Sequence, residues 1–374
     1  MFEDFETWTR EQALPLWASV GRDPDGAFYE RLTLQGAPDK NAVRRVRVQF
    51  RQIYVYSAAY LAGIAPDGLA IARRAFDLVR AEAWAPDGAP GWAHLQNPDR
   101  SVCDPARDAY DQAFAFLGLA WLYRAQPDAD VRAAIDDTLN FVDETLAAPH
   151  GGWRERAGEP LSLRRQNPHM HGFEAMMALY EATGERAFLD RAAGFFELFA
   201  TRFYDPDEAV VNEYFEADWT PVPTERQRWE PGHMVEWVYL LREYERLSGE
   251  NVSVFADNLY ARALDLGRIG DGPFLADELH LSGAPSKPTR RLWPQTELVK
   301  ATLVQHRASG APELRAQAES VLSDLAGQYL SQTLDGGWRD AFTLDGAFDA
   351  DHIPASTFYH LFSLYDLGRR TLRA

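Results

Sequence analysis

Cysteine is almost absent. Cys103 is the only one in 374 residues, so no intramolecular disulfide can form and a reducing, cytoplasmic setting is expected. No stretch approaches the roughly 18 apolar residues that a membrane span requires. The segment Met1 to Trp17 lacks both the basic and the apolar region of a secretory signal. Positive charge is in short supply: 38 Lys and Arg face 56 Asp and Glu, a formal charge of −18, which repels nucleic acid and anionic membranes. There is no Gly-rich phosphate loop and no Gly-x-Ser-x-Gly elbow, so nucleotide-dependent and serine-hydrolase chemistry lack support. No linker or low-complexity segment divides the chain, and one domain, 1–374, is expected.

What the chain does have is a repeat. Pro105, Pro168, Pro231 and Pro294 fall 63 residues apart, each before an apolar segment of helical period. Proline fits a first helical turn, where its missing N–H costs nothing, so all four read as helix starts. Segments opening near residues 51, 111, 171, 233, 297 and 360 form six such units. Between and before them lie more charged, amphipathic stretches at 5–20, 67–84, 127–147, 187–204, 252–268 and 312–332. Six pairs of outer and inner helix close into an all-α toroid, an (α/α)₆ barrel, with the inner N-termini gathered at one end. Gly91-Trp92, Gly151-Gly152-Trp153 and Gly336-Gly337-Trp338 punctuate the rim loops. Segments 207–222 and 273–281 alternate enough to suggest short strands at the mouth.

This architecture predicts that polar residues opening the inner helices converge on one pit: Arg51, Tyr110, Asp111, Asn167, His171, Glu174, His233, Glu236, Glu297 and His360. So many ionisable groups on apolar helices are costly unless paired or used. A histidine at a helix N-terminus tends to stay neutral and ready to act as a base. Glu174 follows His171 by three residues and Glu236 follows His233 by three, so each glutamate is expected to orient its histidine. His169, His171 and His233 suggest a metal set, but residues two apart on a helix point to different faces, which argues against it.

At these residues the chain closely resembles the N-acylglucosamine 2-epimerase family of sugar epimerases and aldose–ketose isomerases, over nearly its whole length. The supporting segments run from Gln49-Phe50-Arg51-Gln52 and Tyr110-Asp111-Gln112 through Asn167-Pro168-His169-Met170-His171 and Glu230-Pro231-Gly232-His233. They continue with Trp293-Pro294-Gln295-Thr296-Glu297 and Phe358-Tyr359-His360. The resemblance implies the barrel, a sugar substrate, and no redox cofactor or catalytic metal. It makes His233 and His360 the acid/base pair. Arg51, Tyr110, Asn167, His171 and Glu236 match residues that bind or polarise the open-chain sugar, and Trp293 matches a tryptophan that walls the site. It leaves a homodimer open and assigns His169 no catalytic role.

The segments look most like the mannose isomerase branch, with the cellobiose and N-acylglucosamine 2-epimerases as alternatives. Arg164-Arg165, Arg226, Arg228 and Arg290-Arg291 could receive a charged sugar. In so acidic a chain they read better as solvated or carboxylate-paired, which favours a neutral hexose. Two other classes stay in view. A glycoside hydrolase would need a carboxyl pair, for which Asp111 and Glu297 are candidates. A non-catalytic sugar-binding barrel would leave the histidines idle.

Overall fold

The computed structural model describes residues 2–270, 272–330 and 334–372. Thirteen helices form twelve rods. The first outer rod is α1 (Phe2–Trp8) and α2 (Leu14–Ser19), joined by a π-turn at Thr9–Ala13. The other outer helices are α4 (Gly68–Ala83), α6 (Ala129–Phe141), α8 (Arg186–Leu198), α10 (Ser253–Gly267) and α12 (Pro312–Leu325). The inner set is α3 (Val46–Leu61), α5 (Ala109–Ala125), α7 (Asn167–Thr183), α9 (Pro231–Ser248), α11 (Leu292–Ser309) and α13 (Phe358–Leu372). Neighbouring inner helices pack in sequence order, and α13 packs back on α3, closing the (α/α)₆ barrel. The expected outer stretch 312–332 is helical to Leu330; residues 331 and 332 lie outside the described residues.

The polypeptide starts and stops these helices by ordinary means. Pro168 and Pro231 occupy the first turns of α7 and α9, and Pro294 is the third residue of α11. Pro105 departs from the expectation: it stands in the loop ahead of α5, which begins at Ala109 with Asp108 as its cap, accepting from Tyr110 N–H at 2.9 Å. Gly184, Gly249 and Gly310 end α7, α9 and α11 in the left-handed conformation, φ 71 to 76°, and the next outer helix starts within four residues.

A second device recurs in three of the units, with a variant in a fourth. Gln49, Gln112 and Gln295, each the fourth residue of its inner helix, grip the backbone of the preceding loop with both ends of the amide. They accept from the N–H of Phe28 (2.9 Å), Trp92 (3.1 Å) and Leu275 (2.8 Å), and donate to the carbonyls of the same residues. In the third unit His169 takes this place, accepting from Trp153 N–H at 2.8 Å. These clips tie the rim loops to the inner helix ends without leaving buried amides unpaired.

The expected strands at the mouth are short, among them Val210–Val211, Tyr214–Phe215 and Glu278–Leu279. Others lie just before the inner helices: Arg44–Arg45, Arg164–Arg165, Thr289–Arg291 and His352–Pro354. Arg31–Thr33 pairs antiparallel with His352–Pro354, joining the first unit to the last. Gln52 donates to Ala355 C=O at 2.8 Å across the same seam. Among the described residues no helix is long and apolar enough to cross a membrane.

Candidate active site

At the inner N-terminal end the barrel opens into a pit of about 720 Å³. Arg51, Tyr110, Asn167, His171, His233, Glu236 and His360 line it, as expected from the repeat, together with Trp293, which the family resemblance put there. Glu174 and Glu297 stand behind the lining and hold histidines from the rear. His171 Nδ1 lies 3.1 Å from Glu174 Oε2, and His360 Nδ1 lies 2.8 Å from Glu297 Oε1. Glu297 is fully buried, and its other oxygen pairs with Lys300 Nζ at 2.7 Å. The Tyr359 hydroxyl donates to both oxygens of Glu174, at 2.5 and 2.6 Å.

Glu236 does not orient His233. The partner is Glu213, whose Oε1 lies 3.0 Å from His233 Nδ1, with Glu230 Oε2 at 3.7 Å. A side chain at the third position of α9 directs its imidazole out toward the rim loop. Glu236, one turn further in, sits on the floor instead. Its Oε1 is buried and has no protein partner, and burial together with Glu297 raises its pKa well above the usual carboxylate range. Glu213 lies within the alternating segment 207–222, and Glu230 precedes His233 by three residues. Both signals were present, but a loop residue distant in sequence is paired to a helix only by the fold.

His233 and His360 end up in different charge states. Burial disfavours charge on both. On His233 the carboxylates of Glu213 and Glu230 overcome it and raise the pKa to about 10. On His360 burial wins over the single contact with Glu297, helped by the positive charges of Arg51 and Lys300, and the pKa falls to about 4. The expectation that helix N-termini leave every histidine neutral thus fails at His233, where two carboxylates outweigh the helix. His171 is lowered by burial, against the pull of Glu174. Trp293 lies against both imidazoles, its ring 5.2 Å from His233 and 5.3 Å from His360, centroid to centroid. Gly232 makes this possible: a Cβ there would fall 2.6 Å from Trp293 Cη2.

Arg51 enters from α3, donating to the Tyr110 hydroxyl at 2.9 Å and to Ser356 C=O at 3.0 Å, with its guanidinium 4.1 Å from the Phe114 ring. Its Nε is buried and unpartnered, as is Asn167 Oδ1. Asp111 is fully buried beneath the wall, between Arg47 (2.7 Å) and His94 (2.5 Å). With Asp111 and Glu297 both outside the lining and both engaged, the carboxyl pair that a glycoside hydrolase would need is not assembled from them.

His169 and His171 diverge. His169 Nδ1 bonds the Arg165 carbonyl at 2.9 Å, and burial drops its pKa to about 3, so His169, His171 and His233 do not meet as a metal set. Three other sets bring ligand-type atoms within 4.8 Å: His171 with Glu174 and Glu236, His233 with Glu213 and Glu230, and His360 with Glu236 and Glu297. In each, a carboxylate already engages the imidazole Nδ1, the arrangement that orients a histidine. Arg164 is neither solvated nor carboxylate-paired: it donates to the carbonyls of Gly151 (2.7 Å) and Trp153 (2.9 Å) and stacks on Trp219. Arg165 pairs with Glu155, Arg226 with Glu216, Arg228 with Glu278 and Arg291 with Asp277, as expected.

Comparison with known proteins agrees with this geometry. The N-acylglucosamine 2-epimerase (GlcNAc 2-epimerase) family matches residues 26–363. A mannose-6-phosphate isomerase of Rhizobium meliloti (strain 1021) is 34% identical, over 96% of this chain and 95% of its own. A D-mannose isomerase of Thermobifida fusca is 26% identical, over 89% and 88%. The structure of a cellobiose 2-epimerase from Spirochaeta thermophila DSM 6192 superposes with a TM-score of 0.88 at 22% identity, covering 100% of this chain and 96% of that one. Sequence and architecture together show that the chain belongs to the N-acylglucosamine 2-epimerase family and is a carbohydrate isomerase or epimerase.

Proposed function

We propose that residues 1–374 act as one catalytic domain that interconverts D-mannose and D-fructose by histidine-mediated proton transfer on the open-chain sugar. The observation that carries this reading is the pair of imidazoles flanking Trp293, one held neutral and one held charged. Groups whose surroundings push their pKa values apart are the natural base and acid of a site.

His360 is the base. With Nδ1–H directed to Glu297, it presents the Nε2 lone pair to the pit. It removes the proton from C2 of the aldose, and the electron pair of that C–H bond becomes the C1–C2 double bond of a cis-enediolate. The negative charge developing on O1 needs donors. Arg51 with Tyr110 and the imidazolium of His233 supply them. Asn167 Oδ1 and Glu236 Oε1, free of protein partners, suit the remaining hydroxyls. When the O2 hydroxyl proton passes to O1 within the cis-enediolate, return of the abstracted proton from His360 to C1 makes C2 the carbonyl and yields the ketose. Delivery from His233 to the opposite face of C2 would yield the epimer instead.

A relative named for mannose 6-phosphate and one named for D-mannose, both isomerases, support the ketose outcome. A neutral hexose is supported by the mouth, where Arg45, Arg47, Arg165, Lys287 and Arg291 are each paired with a carboxylate. The test is product identification with D-mannose, mannose 6-phosphate, N-acetylmannosamine and cellobiose. The reading expects fructose from mannose, with kcat/KM at least about tenfold above that for the phosphate, the discrimination that roughly 1.4 kcal/mol provides. Aldose products inverted at C2 would replace the isomerase by an epimerase. Absence of turnover on all four would overturn both.

A further inference from the structure

Three of the chain's 38 basic residues are lysines, and one of them, Lys300, is placed where water never reaches. Lysine is almost never fully buried unless paired, because desolvating an ammonium is expensive. Lys300 stands one turn below Glu297 on α11. Its Nζ lies 2.7 Å from Glu297 Oε2 and 4.0 Å from the centre of the Tyr239 ring. Glu297 passes the contact on, its other oxygen 2.8 Å from His360 Nδ1. Lysine, carboxylate and imidazole thus form a line running from the barrel core to the pit. In a chain that uses arginine nearly everywhere else, the compact ammonium fits a narrow place that a guanidinium fork would not.

The line has a consequence for the proton. The titratable groups facing it are Arg51 from α3, Glu174 from α7, Glu236 from α9 and, on α13 itself, the phenol of Tyr359, which stays neutral and donates to Glu174. A carboxylate behind an imidazole tightens its hold on a proton. Such tightening makes His360 a poorer acceptor for a sugar C2 proton. A fixed positive charge on the far oxygen of Glu297 offsets that effect while leaving the carboxylate in place to aim the ring.

We propose that Lys300 is a positioning residue for catalysis, acting through Glu297 to hold the Glu297–His360 pair in its proton-accepting form at neutral pH. The inference rests on His360 being the base. Because the imidazole and carboxylate share one proton, the statement concerns the pair: removing a nearby cation raises its proton affinity, whichever member carries the proton.

The test uses the full-length enzyme with Lys300→Gln, which keeps a donor but loses the charge, and Lys300→Met, which loses both. Two readouts are taken: NMR titration of ¹⁵N-labelled histidine, with His360 assigned by its loss in His360→Asn, and the pH dependence of kcat/KM. Both variants should protonate the pair at least tenfold more tightly. The acid limb of kcat/KM should move up by the same one pH unit or more, with KM changed less than about threefold. A merely structural lysine would lower Tm without moving the limb. Folded variants whose titration and acid limb coincide with wild type would overturn the proposal. Loss of folding in both would do so too, by marking Lys300 as a structural cation. A His360→Asn enzyme that still turns over would instead refute the role of His360, and the titration would still report what Lys300 does.

Discussion

His233 and His360 occupy the third position of their respective inner helices, yet their surroundings leave one charged and the other neutral. Two carboxylates face the first, and one carboxylate already tied to a lysine faces the second. The proposed mechanism needs His360 neutral and His233 protonated. The kcat/KM profile is therefore expected to form a broad plateau, falling on the acid side near pH 4 and on the alkaline side near pH 10. Glu213→Gln should bring the alkaline limb down toward the ordinary imidazole range of about 6.5, since one of the charges holding the proton is gone. An unmoved limb would mean that Glu213 does not control His233. His233→Asn and His360→Asn should each cost about 10²- to 10⁴-fold in kcat, measured on variants whose circular dichroism matches wild type. Gly232→Ala should also impair turnover, because its methyl displaces Trp293 from between the two histidines. Wild-type rates in that variant would show that the indole contact is dispensable.

At the scale of the element, the inner helices were legible because they are apolar all round and begin at regular intervals, and their outer partners because charge confines itself to one face. Arg51, Tyr110, Asn167, His171, His233, Glu236 and His360 reached the pit for that reason. Glu213 and the Lys300 contact were not legible: one arrives from a loop, and the other depends on depth along a helix, which residue type does not reveal. Pro105 misled because a proline four residues before a helix serves a loop as well as a cap. The glutamine clips explain His169, which substitutes for glutamine in the third unit and lies outside the pit lining. Gln112→Leu should leave the N–H and carbonyl of Trp92 unsatisfied and cost about 2 kcal/mol in urea denaturation, without altering KM. His169→Gln should fold and turn over normally. The native state refuses a proton on His169 down to about pH 3, whereas the unfolded chain accepts it near 6.5. Stability from this site is thus present above pH 6.5 and lost as pH falls toward 3, and His169→Gln should lose less Tm than wild type over that interval. Equal losses would show that His169 does not contribute to acid sensitivity.

At the scale of the whole molecule, the barrel makes chemistry by closure. His233 and His360 are remote in sequence and belong to helices that never touch as neighbours in the ring; α11, which lies between them, supplies Trp293 and Glu297. The seam between first and last units places Ser356 C=O on Arg51 and so fixes the donor that the proposed mechanism sets against the sugar oxygens. The most direct test of this account is solvent exchange by the folded His360→Asn variant, incubated with D-mannose in heavy water beside the wild type. The wild type should introduce deuterium at C2 of recovered mannose and at C1 of fructose, and the variant should introduce none above background. Deuterium entering at the wild-type rate without the His360 imidazole would contradict it.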